Sequence, residues 1–156
     1  MSTISILLVE DHEVFARALT RVLSANKELD VVAVANTAEK ALEQLPNLDV
    51  NLVLADVSLP QMNGINLVEE LRKQYPHLRC AVLSGHLSPE YVQRALDAGA
   101  HGYMVKDNPS GILEGIQHIM NGEVYVSREV GNAFDGPSSA SPPPYRDTTR
   151  GSTSNA

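Results

Sequence analysis

The stretch Leu52-Val53-Leu54-Ala55-Asp56-Val57-Ser58-Leu59-Pro60-Gln61-Met62-Asn63-Gly64 decides how the chain is read. An unbroken apolar run stops at a carboxylate, and a Pro/Asn/Gly turn follows. Such a run reads as a strand buried on both faces. A charged residue has no place inside it, so Asp56 belongs at the strand's carboxyl end. Open α/β sheets carry their reactive groups at that edge. Pro60 and Gly64 then shape a loop and open a helix.

Working outward, the same alternation recurs on both sides. Ile4 to Val9 is a strand closed by Glu10-Asp11. Val14, Phe15, Ala18, Leu19, Val22 and Leu23 follow at helical spacing, with Asp11 or His12 near the cap. Val31 to Ala35 is a second strand, and Thr37 caps a helix that ends at Pro46-Asn47. Beyond the central stretch, Ile65, Val68 and Leu71 form one helical face, and Leu78 to Leu83 is a fourth strand ending at Ser84-Gly85. Ser88-Pro89-Glu90 starts the next helix, with Gly99 near its end. Gly102 to Val105 is a fifth strand ending at Lys106, and Asn108-Pro109 opens a helix carrying Ile112, Leu113, Ile116, Ile119 and Met120. Gly111 and Gly115 each weaken that helix by roughly 1 kcal/mol relative to Ala.

Five strands alternating with five helices predict an α/β, doubly wound parallel sheet with right-handed crossovers. The flavodoxin-like class has the strand order 2-1-3-4-5, which is adopted here from the class. The domain is expected to span residues 1–130. From Gly136 the chain has little to bury, so residues 131–156 are expected to be a flexible Pro/Ser-rich tail, linker or truncation remnant.

Bulk properties narrow the function. The chain has 156 residues, 43% of them hydrophobic, and a formal net charge of −7. That charge argues against a general nucleic-acid binder, which carries a basic patch. The single Cys80 rules out a disulfide framework and reads as a buried, inert thiol. The N-terminus lacks a basic region, and its apolar run is too short for a signal peptide or a membrane span. A soluble cytoplasmic protein is expected.

Glu10-Asp11, Asp56, Ser84 and Lys106 all end strands, so a parallel sheet brings them to one rim. Three carboxylates repel one another and call for a cation; oxygen ligands select a hard one, and Mg²⁺ is usual where phosphate is handled. Ammonium, hydroxyl and metal around one carboxylate make a cage for a transferred phosphoryl group.

This constellation resembles the response-regulator receiver domain of bacterial two-component signalling. The likeness runs from about Ile4 to Val130, through Glu10-Asp11, the Asp56–Gly64 run, Ser84-Gly85 and Lys106. It implies that Asp56 accepts a phosphoryl group from a phosphohistidine on a sensor histidine kinase. It also implies that Glu10, Asp11, Asp56 and the Ser58 backbone carbonyl hold Mg²⁺, and that Ser84 and Lys106 bind phosphoryl oxygens. Tyr103 matches the family's aromatic switch. Tyr91, Val92, Ala95, Tyr103 and Ile112 become candidates for a partner or homodimer surface on the face of helix 4, strand 5 and helix 5. Ser58 and His86 occupy positions that influence acyl-phosphate lifetime.

Lys106-Asp107 and Gly122-Glu123-Val124-Tyr125-Val126-Ser127 are similar to the NarL/LuxR-type transcriptional regulators. No helix-turn-helix pattern follows Phe134, so DNA would be reached only through an output domain not in this chain. His12, His77, His101 and His118 show no metal spacing and read as surface or helix residues.

Rival readings stay open. One is a stand-alone receiver acting by protein–protein contact. A second is a haloacid-dehalogenase-type phosphohydrolase, which needs a second Asp where Ser58 stands. A third is a flavin or nucleotide binder, whose phosphates Glu10-Asp11 would repel. A pseudo-receiver would be expected to lack Asp56 or Lys106. On balance the chain is expected to be a signalling phosphoacceptor rather than an enzyme with an external substrate.

Overall fold

A computed structural model describes residues 3–85 and 88–129. The expected tail (131–156) and His86 lie outside the described residues. The elements run in strict alternation: β1 Ile4–Val9, α1 Glu13–Ser24, β2 Leu29–Ala35, α2 Ala38–Gln44, β3 Leu52–Asp56, α3 Gly64–Gln74, β4 Arg79–Ser84, α4 Pro89–Asp97, β5 Gly102–Val105, α5 Pro109–Met120 and β6 Tyr125–Val126. A single 3₁₀ turn, Leu45–Asn47, carries the chain out of α2. The sheet order is β2-β1-β3-β4-β5-β6, and every pairing is parallel.

Four of the five helix starts are closed by the side chain that the sequence offers. Thr37, Asn63, Ser88 and Asn108 accept the amides of Lys40, Asn66, Tyr91 and Gly111 at 3.0, 2.9, 3.2 and 3.0 Å. At α1 the N-cap is His12, and its side chain makes no cap hydrogen bond.

The strands bury both faces, and their period of two sorts side chains between two cores. Leu7, Val53, Val82 and Tyr103 pack on the side of α2, α3 and α4. Ile6, Leu54, Leu83 and Met104 pack on the side of α1 and α5. This parity has a chemical consequence. Asp56 continues the Leu52–Leu54 series toward α1 and α5, whereas Ser84 continues the Cys80–Val82 series toward α4.

Two findings depart from the sequence reading. The sheet has a sixth strand. β6 runs along β5, pairing Tyr125 with Gly102 and Val126 with Tyr103. It is two residues long, too short to carry a periodic signal. Second, Val92, Ala95, Tyr103 and Ile112 are fully buried, so they do not form a partner surface. Of the five residues assigned to that face only Tyr91 is partly exposed. The apolar residues picked out by helical spacing are the inward stripe, and a docking face would be built from their outward neighbours.

Gly115 also changes meaning. A Cβ there would meet Met104 Sδ at 2.4 Å and the Tyr125 ring at 2.7 Å. The cost to helix propensity is offset by the close approach of α5 to β5 and β6.

Candidate functional site

Parallel pairing aligns the carboxyl ends of β1, β3, β4 and β5, and Glu10, Asp56 and Lys106 meet there. Asp56 is the last residue of β3 and is 3% exposed; Glu10, one past β1, is 1% exposed. Between them lies the Lys106 ammonium, 3.0 Å from Glu10 Oε1 and 3.3 Å from Asp56 Oδ2. Its backbone is anchored by the Lys106 amide donating to the Ser84 carbonyl at 2.9 Å. The Asp56 side chain is further oriented by the Ser58 amide, which donates to Oδ1 at 3.0 Å. Asp56 thus carries one oxygen turned to a backbone donor and one turned to a cation.

Glu10 is the partner whose titration is shifted. Burial pushes its carboxyl up; the Lys106 ammonium opposes this, the Asp56 charge adds to it, and the His12 amide, donating to Oε2 at 3.1 Å, opposes it again. Lys106 approaches Oε1 off the line of an aligned hydrogen bond, so this buried oxygen keeps acceptor capacity. Glu10, Asp11 and His12 offer ligand atoms within 4.8 Å of one another. That donor set, dominated by carboxylate oxygen, fits a hard divalent cation. Among the described residues, Asp56 is outside this group and is tied to it through Lys106. His12, read from the sequence as a surface residue, is exposed but belongs to the acidic corner.

Ser84 and Tyr103 stand on the α4 side of the same rim. Both are buried, and the Ser84 side chain acts on the Tyr103 phenol. Burial pushes the Tyr103 phenol up and Ser84 opposes it, so the hydroxyl stays protonated at neutral pH.

Three contributors are not evident in the sequence. The Phe15 ring lies 4.5 Å from Lys106 Nζ, although helical spacing marks Phe15 only as one of an apolar stripe. Ser127 is buried and binds β5 through both its hydroxyl and its amide. His101 is half-buried, not a surface residue: its Nδ1 accepts the Cys80 amide at 3.1 Å. Cys80 itself is fully buried, which pushes its thiol up to about 12 and keeps it inert.

Residues 6–117 match the family model of the response regulator receiver domain. The chain belongs to that family. Among curated proteins, this receiver is 41% identical over 104 residues to the DNA-binding transcriptional activator DevR/DosR of Mycobacterium tuberculosis, covering 67% of this chain and 48% of the relative. It is 32% identical over 124 residues to the nitrate/nitrite response regulator protein NarL of Escherichia coli, covering 79% of this chain and 57% of the relative. The receiver therefore spans about half the length of such relatives. Among solved structures, a LuxR-family two-component response regulator from Aurantimonas sp. SI85-9A1 superposes with a TM-score of 0.83 at 26% identity, covering 86% of this chain and 97% of that one. These matches put the receiver with the NarL/LuxR-type regulators. Among the described residues no helix is long and apolar enough to cross a membrane.

Proposed function

We propose that this receiver accepts a phosphoryl group on Asp56 from a phosphohistidine of a sensor histidine kinase, and that the transfer depends on Mg²⁺. One Asp56 oxygen forms the new O–P bond as the P–N bond breaks, and the imidazole leaves with the electron pair. The observation that carries this reading is the Lys106 ammonium held against Asp56 Oδ2 and Glu10 Oε1 at the strand ends of a receiver-family chain. The ammonium lies where it can offset charge on the transferred group's oxygens.

Glu10, Asp11, Asp56 and the Ser58 backbone carbonyl would hold the cation, with His12 at the edge of the set. When bound, Mg²⁺ supplies positive charge that offsets carboxylate repulsion and charge on the phosphoryl oxygens. This chain's own residues do the rest. The Ser58 amide orients Asp56, Lys106 grips one oxygen of the phosphoryl group, and Ser84 donates its hydroxyl to another. Phosphorylation adds about −1.5 to −2 charge and three acceptor oxygens. Drawing Ser84 toward them changes the surroundings of the Tyr103 phenol, which would transmit the change to the helix 4–strand 5–helix 5 face. That face would take the partner or a second copy of the chain. Ser58 and His86 would set how long the acyl phosphate lasts.

The wider reading is transcriptional control from the cytoplasm, exerted through an output segment beyond the receiver. Residues 1–130 form the phosphoacceptor unit in this scheme, with 131–156 as a Pro/Ser-rich tail or linker. It is supported by the likeness to longer NarL/LuxR-type regulators, among them an activator described as DNA-binding.

The test is intact-mass measurement after incubation with acetyl phosphate and Mg²⁺. A labile added phosphoryl mass on the wild type that is missing from Asp56→Ala supports the proposal. Steady release of phosphate from unrelated esters would point to a phosphohydrolase instead.

A further inference from the structure

We propose that Phe15 is a positioning residue that seats the Lys106 ammonium for phosphoryl acceptance on Asp56; this rests on the receiver reading and adds a member to its site. A lysine head sits on four rotatable bonds, and β5 fixes only its backbone. Two of the ammonium's contacts are the carboxylates of Glu10 and Asp56, at 3.0 and 3.3 Å. A third is the Phe15 ring, with its centroid 4.5 Å away, inside the range of a cation–π contact.

The ring comes from the first turn of α1, half-buried against the core that α1 shares with α5. Glu10, Asp56 and Lys106 approach from that same side of the sheet, because the strand parity sends them there. Phenylalanine has two side-chain torsions, so a ring anchored in this core holds the head at little entropic cost. It has no acceptor atom to compete with the carboxylates for the N–H groups, and it keeps water off one side of the charge. The Lys106 side chain is accordingly only 17% exposed. An aliphatic side chain of similar size would exclude water too, but without the quadrupole that attracts the cation.

The contact also leaves the lysine free to follow its anion. A ring face attracts over a broad area, so the ammonium can move from Asp56 Oδ2 toward a phosphoryl oxygen without losing this support. A fixed hydrogen-bond acceptor in the same place would hold it back.

The experiment compares wild type, Phe15→Leu, Phe15→Tyr, Lys106→Met and the Phe15→Leu/Lys106→Met pair, all as the full chain. The first measurement is the NMR shift of the Lys106 ε-methylene in metal-free protein. A ring 4.5 Å from Nζ shifts those protons upfield. The displacement is expected in wild type and Phe15→Tyr and is expected to vanish in Phe15→Leu. The second is affinity for beryllofluoride in saturating Mg²⁺ by calorimetry, alongside the rate of phosphoryl mass gain. Phe15→Leu is expected to lower both about three- to tenfold, the size of a partly desolvated cation–π contact. Phe15→Tyr stays near wild type, and Phe15→Leu adds no loss in the Lys106→Met background.

An unshifted ε-methylene in wild type, or an equal loss with and without Lys106, overturns the assignment while leaving the receiver reading intact. A wild-type chain that gains no Asp56-dependent mass overturns both.

Discussion

Ser127 Oγ accepts the Val105 amide at 3.1 Å, while the Ser127 amide donates to the Tyr103 carbonyl at 2.9 Å. One residue past β6 therefore completes the outer edge of β5 on both sides of Met104. Ser127 is 1% exposed, so water does not substitute for it. Ser127→Ala leaves a buried N–H without its acceptor, a loss of about 1–3 kcal/mol. Urea denaturation is expected to show that loss, and amide exchange at Val105 is expected to speed up. A full-stability Ser127→Ala chain with a still-protected Val105 amide would show that β5 does not depend on this clasp.

Gly64 closes the loop behind the acceptor. A Cβ there would stand 2.3 Å from the Asp56 carbonyl oxygen and 2.9 Å from its carbon. Both are backbone atoms, so no rotamer relieves the clash. Gly64→Ala is expected to cost about 1–3 kcal/mol by overpacking and to displace Asp56 from the Lys106 ammonium. Phosphoryl mass gain from acetyl phosphate should slow together with the fall in stability. Gly85→Ala is the control, since a Cβ there meets nothing within 4 Å among the described residues. Equal behaviour of the two variants would remove the steric account of Gly64.

Gln61 is the one non-glycine residue with positive φ, 63°, among the described residues. It sits in the turn after Pro60, between the acceptor and α3. An L-residue in that region carries roughly 1–2 kcal/mol of local strain. Gln61→Gly removes it and gives back part of the gain as unfolded-chain entropy. The net expectation is a stabilisation of up to about 1 kcal/mol, seen as a melting temperature a few degrees higher. A lower melting temperature would mean that the Gln61 side chain contributes more than its backbone costs.

The order of elements and the rim of Asp56, Glu10 and Lys106 were legible because long apolar runs ended at charged residues. In a parallel sheet, chain order and strand ends are enough to gather such groups. What the side chains do once gathered was less legible. Phe15 reads as core from helical spacing and turns out to face a cation. The inward stripe of α4 and α5 was mistaken for a surface because periodicity marks one face of a helix without saying what covers it. β6 escaped notice because two residues have no period; its stability comes from pairing with β5 and from the room left by Gly115. His101 escaped because a lone histidine between a helix and a strand carries no signal of which backbone amide it will meet.

His101 supplies a pH dependence that is separate from the acidic rim. Its Nδ1 accepts the Cys80 amide, so the ring must be neutral at that nitrogen. Burial lowers its pKa to about 4, with the charges of Arg72 and Arg79 adding to the shift. An unfolded histidine titrates near 6.5. Between these values the unfolded chain binds the extra proton, so the fold gains stability as pH rises through that window. The contribution is complete above about pH 6.5 and is lost progressively as pH falls toward 4, with an upper size of about 3 kcal/mol. His101→Asn keeps an acceptor near the position of Nδ1 but does not titrate. Denaturation of the two proteins at half-unit steps from pH 7 to pH 4 is expected to show wild type losing more stability than His101→Asn over this interval. Parallel curves would mean that the His101 ring is protonated in the folded chain as readily as in the unfolded one, and that the Cys80 amide has another acceptor.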